Sequence, residues 1–145
     1  MEFVFEGRRK SGNSTGPVAE PDFAAVRVSA YKDADASKRN VVRLRFTFTS
    51  KAVLLARWIK DDRLEVGADS KNMLLAFKRS ASGYRIVGKG FTDLANKPAK
   101  DRPSVQVTVN ADSPVAVISS LIMGEWTPLK ENGVLLIASI SESSR

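Results

Sequence analysis

Polar and apolar positions alternate most strictly over residues 41–49, where Val42, Leu44, Phe46 and Phe48 fall on one side and Arg43, Arg45, Thr47 and Thr49 on the other. A period of two marks a strand with one buried and one wet face. Ser50 comes next as a candidate N-cap, and residues 52–59 have the content of a short helix, with Leu54, Leu55 and Trp58 spaced to share a face. Lys60, Asp61 and Asp62 form a polar turn, after which residues 63–66 resume the strand period. Nearer the N-terminus, a strand is predicted over residues 23–31, with Val26, Val28 and Ala30 opposite Arg27, Ser29 and Tyr31. Pairing the two as an antiparallel hairpin places Arg27, Tyr31, Arg43 and Arg45 on one sheet face.

Further strands are expected at 73–79, 84–87, 104–110 and 134–140, and a short edge strand at 2–6. The 73–79 and 84–87 strands form a hairpin whose ends carry Lys78, Arg79, Arg85 and Lys89. Asp112 or Ser113 caps a second helix with Pro114 in its first turn and Val115, Ile118, Leu121 and Ile122 as its buried stripe. Residues 88–103 and 123–133 read as connections, the latter holding Trp126. The expected fold is therefore α+β: a largely antiparallel sheet of about seven strands with two short helices on one face. Residues 1–22 form a flexible basic arm, 23–140 one domain and 141–145 a tail. Sliding the chain by 63 positions superposes Leu44 on Val107, Phe46 on Val109, Leu54 on Val117 and Ile59 on Ile122. That echo suggests a duplication with units at 41–79 and 104–140.

At 145 residues with 43% hydrophobic content, the chain buries a core without staples. It has no cysteine and no histidine, which removes disulfides, thiolate metal sites, the usual neutral-pH general base and most zinc chemistry. No run reaches a membrane span, and the opening MEFVFEGRRK has the wrong charge order for a secretory signal. The expectation is a soluble cytoplasmic protein, with association to a nucleoid in keeping. Residues 1–102 hold 21 of the 23 Lys and Arg and 12 of the 16 Asp and Glu. The net charge of +7 is thus concentrated where the alternating arginines lie, and clustered cations favour polyanions through counterion release.

Candidate chemistry is sparse. Residues 83–90 match the P-loop spacing G-x-x-x-x-G-K, but Gly90 stands where a magnesium-binding hydroxyl belongs and the interior reads as a strand. Asp61, Asp62 and Glu65 are the one compact acidic group, and adjacent aspartates after a helix suit a turn. No enzyme, cofactor, metal or catalytic residue is expected. Nucleic-acid binding uses the most features together, with Arg8, Arg9, Lys10, Arg27, Arg43, Arg45, Lys78, Arg79, Arg85 and Lys89 as phosphate contacts and Tyr31 and Tyr84 as stacking groups. DNA is favoured over RNA. The alternative is a structural or assembly protein, such as a virion component or adaptor, that self-associates through its N-terminal arm and sheet edges; either way a homo-oligomer is expected.

The central unit resembles the AbrB and MazE type of swapped-hairpin DNA-binding domain over about 40 of 145 residues. Phe46-Thr47-Phe48-Thr49 stands for that family's strand, residues 50–58 for its helix, Ile59-Lys60-Asp61-Asp62-Arg63-Leu64-Glu65-Val66 for its turn and next strand, and residues 73–78 for the last. The family's turn glycine is absent and the turn is a residue shorter. The resemblance implies that Arg43 and Arg45 face DNA. In layout the chain is also similar to the Whirly and transcriptional-coactivator type of single-strand binder.

Overall fold

A computed structural model describes residues 21–30, 40–88 and 102–140. Among these described residues, nine strands and two helices run in the order β1 (Ala25–Ala30), β2 (Val41–Phe48), α1 (Ser50–Ala56), β3 (Arg63–Asp69), β4 (Leu74–Arg79), β5 (Tyr84–Val87), β6 (Ser104–Asn110), α2 (Pro114–Ser120), β7 (Trp126–Pro128), β8 (Lys130–Asn132) and β9 (Leu135–Ser139). Hydrogen bonding arranges them in one sheet, β7-β1-β2-β6-β5-β3-β4-β9-β8, and every neighbouring pair is antiparallel. Its two margins, β7 and β8, are consecutive in the chain. Leu129 alone separates them, and its N–H donates to the Ala24 carbonyl at 2.9 Å. The sheet therefore curls into a nearly closed barrel.

This overturns the expected α+β class. The described residues are mostly antiparallel strand, and the sheet covers its own apolar face by curling instead of borrowing helices for one side. Val26, Val28, Leu44, Phe46, Phe48, Leu64, Leu75, Phe77, Ile86, Val105, Val107, Leu136 and Ala138 all belong to one buried cluster. Phe77 sits at its centre with Phe46 and Phe48 edge-on at 5.4 Å and 5.2 Å. The two strands beyond the expected seven, β7 and β8, lie in the segment read as a connection.

The helices sit at opposite ends. β2 runs into α1 and β6 runs into α2, and because these two strands are antiparallel neighbours, the two helices leave the barrel in opposite directions. Ala52 and Val53 of α1, and Val115, Ala116 and Ile118 of α2, are buried. Thr49 rather than Ser50 caps α1, its hydroxyl accepting from the Ala52 N–H at 3.2 Å. Arg57 stops the helix in the left-handed region at φ 61°. The chain then turns back so that Trp58 packs on Phe48, ring centroids 4.9 Å apart.

The echo at 63 positions has a spatial counterpart. Leu44 and Val107, which the slide superposes, are paired directly across β2 and β6. Reading the strand order outward from that contact meets β1 and β5, then β7 and β3, with β9 and β4 meeting on the far side. The strand order is thus the same on either side of the β2–β6 contact for two strands, while β8 has no counterpart among the described residues of the first half of the chain.

Candidate nucleic-acid interface

Alternation sends one side chain in two outward from each barrel strand. The four adjacent strands β1, β2, β6 and β5 carry four charged residues, Arg27, Arg43, Arg45 and Arg85, and every one is an arginine. All four alternate with buried neighbours (Val26, Val28, Leu44, Phe46 and Ile86), which places them on the outer wall. The register sets their surroundings. Arg27 stands opposite Thr47 on one side and Trp126 on the other, Arg45 opposite Ser29 and Gln106, and Arg43 opposite Thr108. Neutral hydrogen-bonding residues thus separate the cations.

Arg85 extends this wall toward β3, where Arg63 is its direct partner. Like charges directly opposite are unfavourable in a sheet. Here they are eased by Asp61, 3.8 Å from the Arg85 Nε, and by the Gly83 carbonyl, which accepts from the Arg63 Nη1 at 3.2 Å.

The remaining predicted contacts divide differently. Lys78 and Arg79 lie on β4 beyond β3, where carboxylates answer them: Lys78 reaches Glu65 at 3.7 Å and Arg79 reaches Asp62 at 3.2 Å. They belong to a mixed-charge wall, because the β3–β4 register sets Glu65 opposite Lys78. Tyr84 is 41% exposed and donates its hydroxyl to the Thr108 carbonyl at 3.1 Å, tying it to the edge of the arginine wall. Arg8, Arg9, Lys10, Tyr31 and Lys89 lie outside the described residues.

Two aromatic and cationic groups join the wall that the sequence pattern did not nominate. Trp126 on β7 is half-buried, and the Arg102 guanidinium lies 5.3 Å from its ring centroid, a cation–π distance. Arg27 on β1 is the register partner of Trp126. A signal existed: Thr127 and Leu129 are buried while Trp126, Pro128 and Lys130 face outward, a period of two hidden by its brevity and by the proline.

Residues 83–88, which have P-loop spacing, are a strand and its preceding turn. Gly83 is required there by close packing, since a Cβ on it would lie 2.3 Å from the Leu64 carbonyl carbon. Asp62 accepts from the Ile59 N–H at 2.8 Å as well as from Arg79, so the aspartate pair shapes the turn into β3. Among the described residues no cluster of three acidic side chains is placed to hold a metal ion, and no helix there is long and apolar enough to cross a membrane.

The chain matches no protein-family model, no curated protein and no solved structure. The likeness to AbrB and MazE domains therefore gains nothing from comparison.

Proposed function

We propose that this protein binds nucleic acid, DNA in the first place, across the outer wall of β1, β2, β6 and β5, and that it does so without a chemical step. One observation carries the reading: all the charge on four adjacent strands is arginine, with Trp126 and Arg102 at the margin of the same wall. Guanidinium forks match phosphate oxygens, and an aromatic face takes a base without regard to its identity. The wall is the outside of a barrel and hence convex, which suits a strand draped over it better than a duplex gripped within it.

The test is binding of single- and double-stranded oligonucleotides, DNA and RNA, at two salt concentrations. If about four arginines neutralise phosphates on a single strand, affinity falls roughly 50-fold between about 50 and 200 mM salt. Arg43→Gln with Arg85→Gln, both exposed and on different strands, makes that dependence about half as steep. Trp126→Leu weakens single strands about tenfold and duplex far less. Salt-insensitive binding, or full affinity in the double arginine variant, would sink the reading.

Self-association is the second reading. Pairing through sheet edges loses support, because the two margins of the described sheet approach each other at Leu129. The ends of the barrel offer a different route.

A further inference from the structure

We propose that copies of this chain associate head to tail, the α1 end of one barrel against the α2 end of the next. The inference is independent of nucleic-acid binding and begins from topology: since β2 and β6 are antiparallel, α1 and α2 mark opposite ends of one molecule. Each helix buries one side in the barrel and turns apolar side chains to solvent on the other.

At the α1 end, Leu54 is 60% exposed and Leu55 39%. With Ala24 and Lys51 they line a shallow depression, and Phe23 beside it is 46% exposed. Thr49 holds that segment against the helix start by donating to the Phe23 carbonyl at 3.0 Å. At the α2 end, Val117 and Leu121 are one helical turn apart and 50% and 55% exposed, with Met123 close in the chain at 40%. A single exposed leucine needs no explanation, but apolar groups gathered at both poles of a small barrel mark contact surfaces.

Charge decides which pole meets which. Residues 50–62 contain three cations, Lys51, Arg57 and Lys60, and two carboxylates, Asp61 and Asp62, which pair with Arg85 and Arg79. Residues 112–125 contain two carboxylates, Asp112 and Glu125, and no cation, and the turn between β3 and β4 adds Asp69 and Lys71 to that end. Lys51 is engaged by Asp22 at 2.8 Å, which leaves Arg57 and Lys60 as the exposed cations of that end. Like poles repel and unlike poles attract, so the occupant of each apolar patch is the opposite end of a second copy. A heterologous contact between opposite ends extends into a row unless rotation closes it into a ring. The arginine wall runs along the side of the barrel and stays uncovered in such a row.

Sedimentation velocity of the full chain, without nucleic acid, tests this. Wild-type average mass is expected to rise with protein concentration and to fall with added salt. Leu54→Glu puts an anion where the acidic pole must dock, and Leu121→Lys puts a cation where the basic pole must dock. Each variant alone should be monomeric at concentrations where wild type associates, while an equimolar mixture should form a heterodimer and nothing longer, because each supplies the one pole the other lacks. Unchanged thermal unfolding confirms that both variants fold, as expected at solvent-facing sites. A wild type that stays monomeric overturns the proposal. So does a variant that associates unaided, which would mean like-to-like pairing, or a mixture that remains monomeric.

Discussion

Thr49→Val removes one oxygen and nearly nothing else, yet three hydrogen bonds converge on that atom. The Thr49 hydroxyl accepts from the Ala25 N–H at 3.0 Å and from the Ala52 N–H at 3.2 Å, and donates to the Phe23 carbonyl at 3.0 Å. This uses the full capacity of a hydroxyl, one donor and two acceptor sites. Ala52 keeps a second acceptor, the Thr49 carbonyl at 3.1 Å, so loss of the cap itself costs about 1 kcal/mol. The Ala25 N–H has no such reserve and is fully buried, and a buried donor left unmade costs about 1–3 kcal/mol. Valine fills the same volume, so no cavity adds to the total, and Thr49→Val should destabilise by roughly 3 kcal/mol. Ser113→Ala is the comparison, because Ser113 caps α2 through one partly buried bond, from the Ala116 N–H at 3.2 Å, and should cost only about 1 kcal/mol. Thr49→Ser keeps the hydroxyl and should lose about 0.8 kcal/mol for its methyl. Urea unfolding of the three variants, with equal slopes, gives the differences directly. If Thr49→Val costs no more than Ser113→Ala, the bond to β1 contributes nothing and the reasoning fails.

Gly83→Ala should destabilise by about 2 kcal/mol or more, since the added carbon meets the β3 backbone at Leu64 rather than a side chain able to move; thermal unfolding checks it, and a neutral result would mean the turn shifts freely. Asp69 accepts from the Asn72 side chain at 2.7 Å and from the Asn72 and Lys71 N–H groups, which hold its carboxyl below the ordinary 3.8, the Asn72 side chain foremost. The stabilisation these bonds give the turn is therefore full at neutral pH and is lost as pH falls through that lowered value; a carboxyl NMR titration with Asp69 at or above the ordinary range would contradict this. Replacing Gln106 and Thr108 together by arginine should lower stability by up to about 1 kcal/mol for each pair, since Arg45 and Arg43 stand directly opposite, while raising nucleic-acid affinity; measuring both separates the structural cost from the binding gain.

Much of the barrel was legible because its strands carry a period of two: the alternation of residues 41–48 and 104–110 fixes the inner and outer faces of β2 and β6 correctly. What stayed hidden depends on partners far along the chain. Thr49 and Ser50 are both cap formers, and the choice between them rests on the Ala25 and Phe23 groups waiting on β1. The helix expected through residue 59 ends at Ala56 because Trp58 has a place on Phe48, at the cost of a left-handed Arg57 with no glycine to signal it. Closure could not be read, since β7 and β8 are three residues each and take their form from β1 and β9. In the candidate site, Arg27, Arg43 and Arg45 were brought together by simple hairpin logic, whereas the separation of Lys78 and Arg79 required the β3–β4 register that sets Glu65 against Lys78.

The β2–β6 register also explains why only the first of the two matched segments bears the arginines. The 63-position match puts Gln106 in the place of Arg43 and Thr108 in the place of Arg45. Antiparallel pairing about Leu44 and Val107 then sets Arg43 against Thr108 and Arg45 against Gln106. Had both segments carried arginine at these places, two like-charged pairs would face each other across the contact between them, each unfavourable by up to about 1 kcal/mol. Neutral acceptors and donors on β6 avoid that repulsion and add no carboxylate to the strands themselves. The next cation lies one strand further out, as Arg85 on β5. Positive charge is thereby spread over β1, β2 and β5, with the neutral strand β6 between β2 and β5.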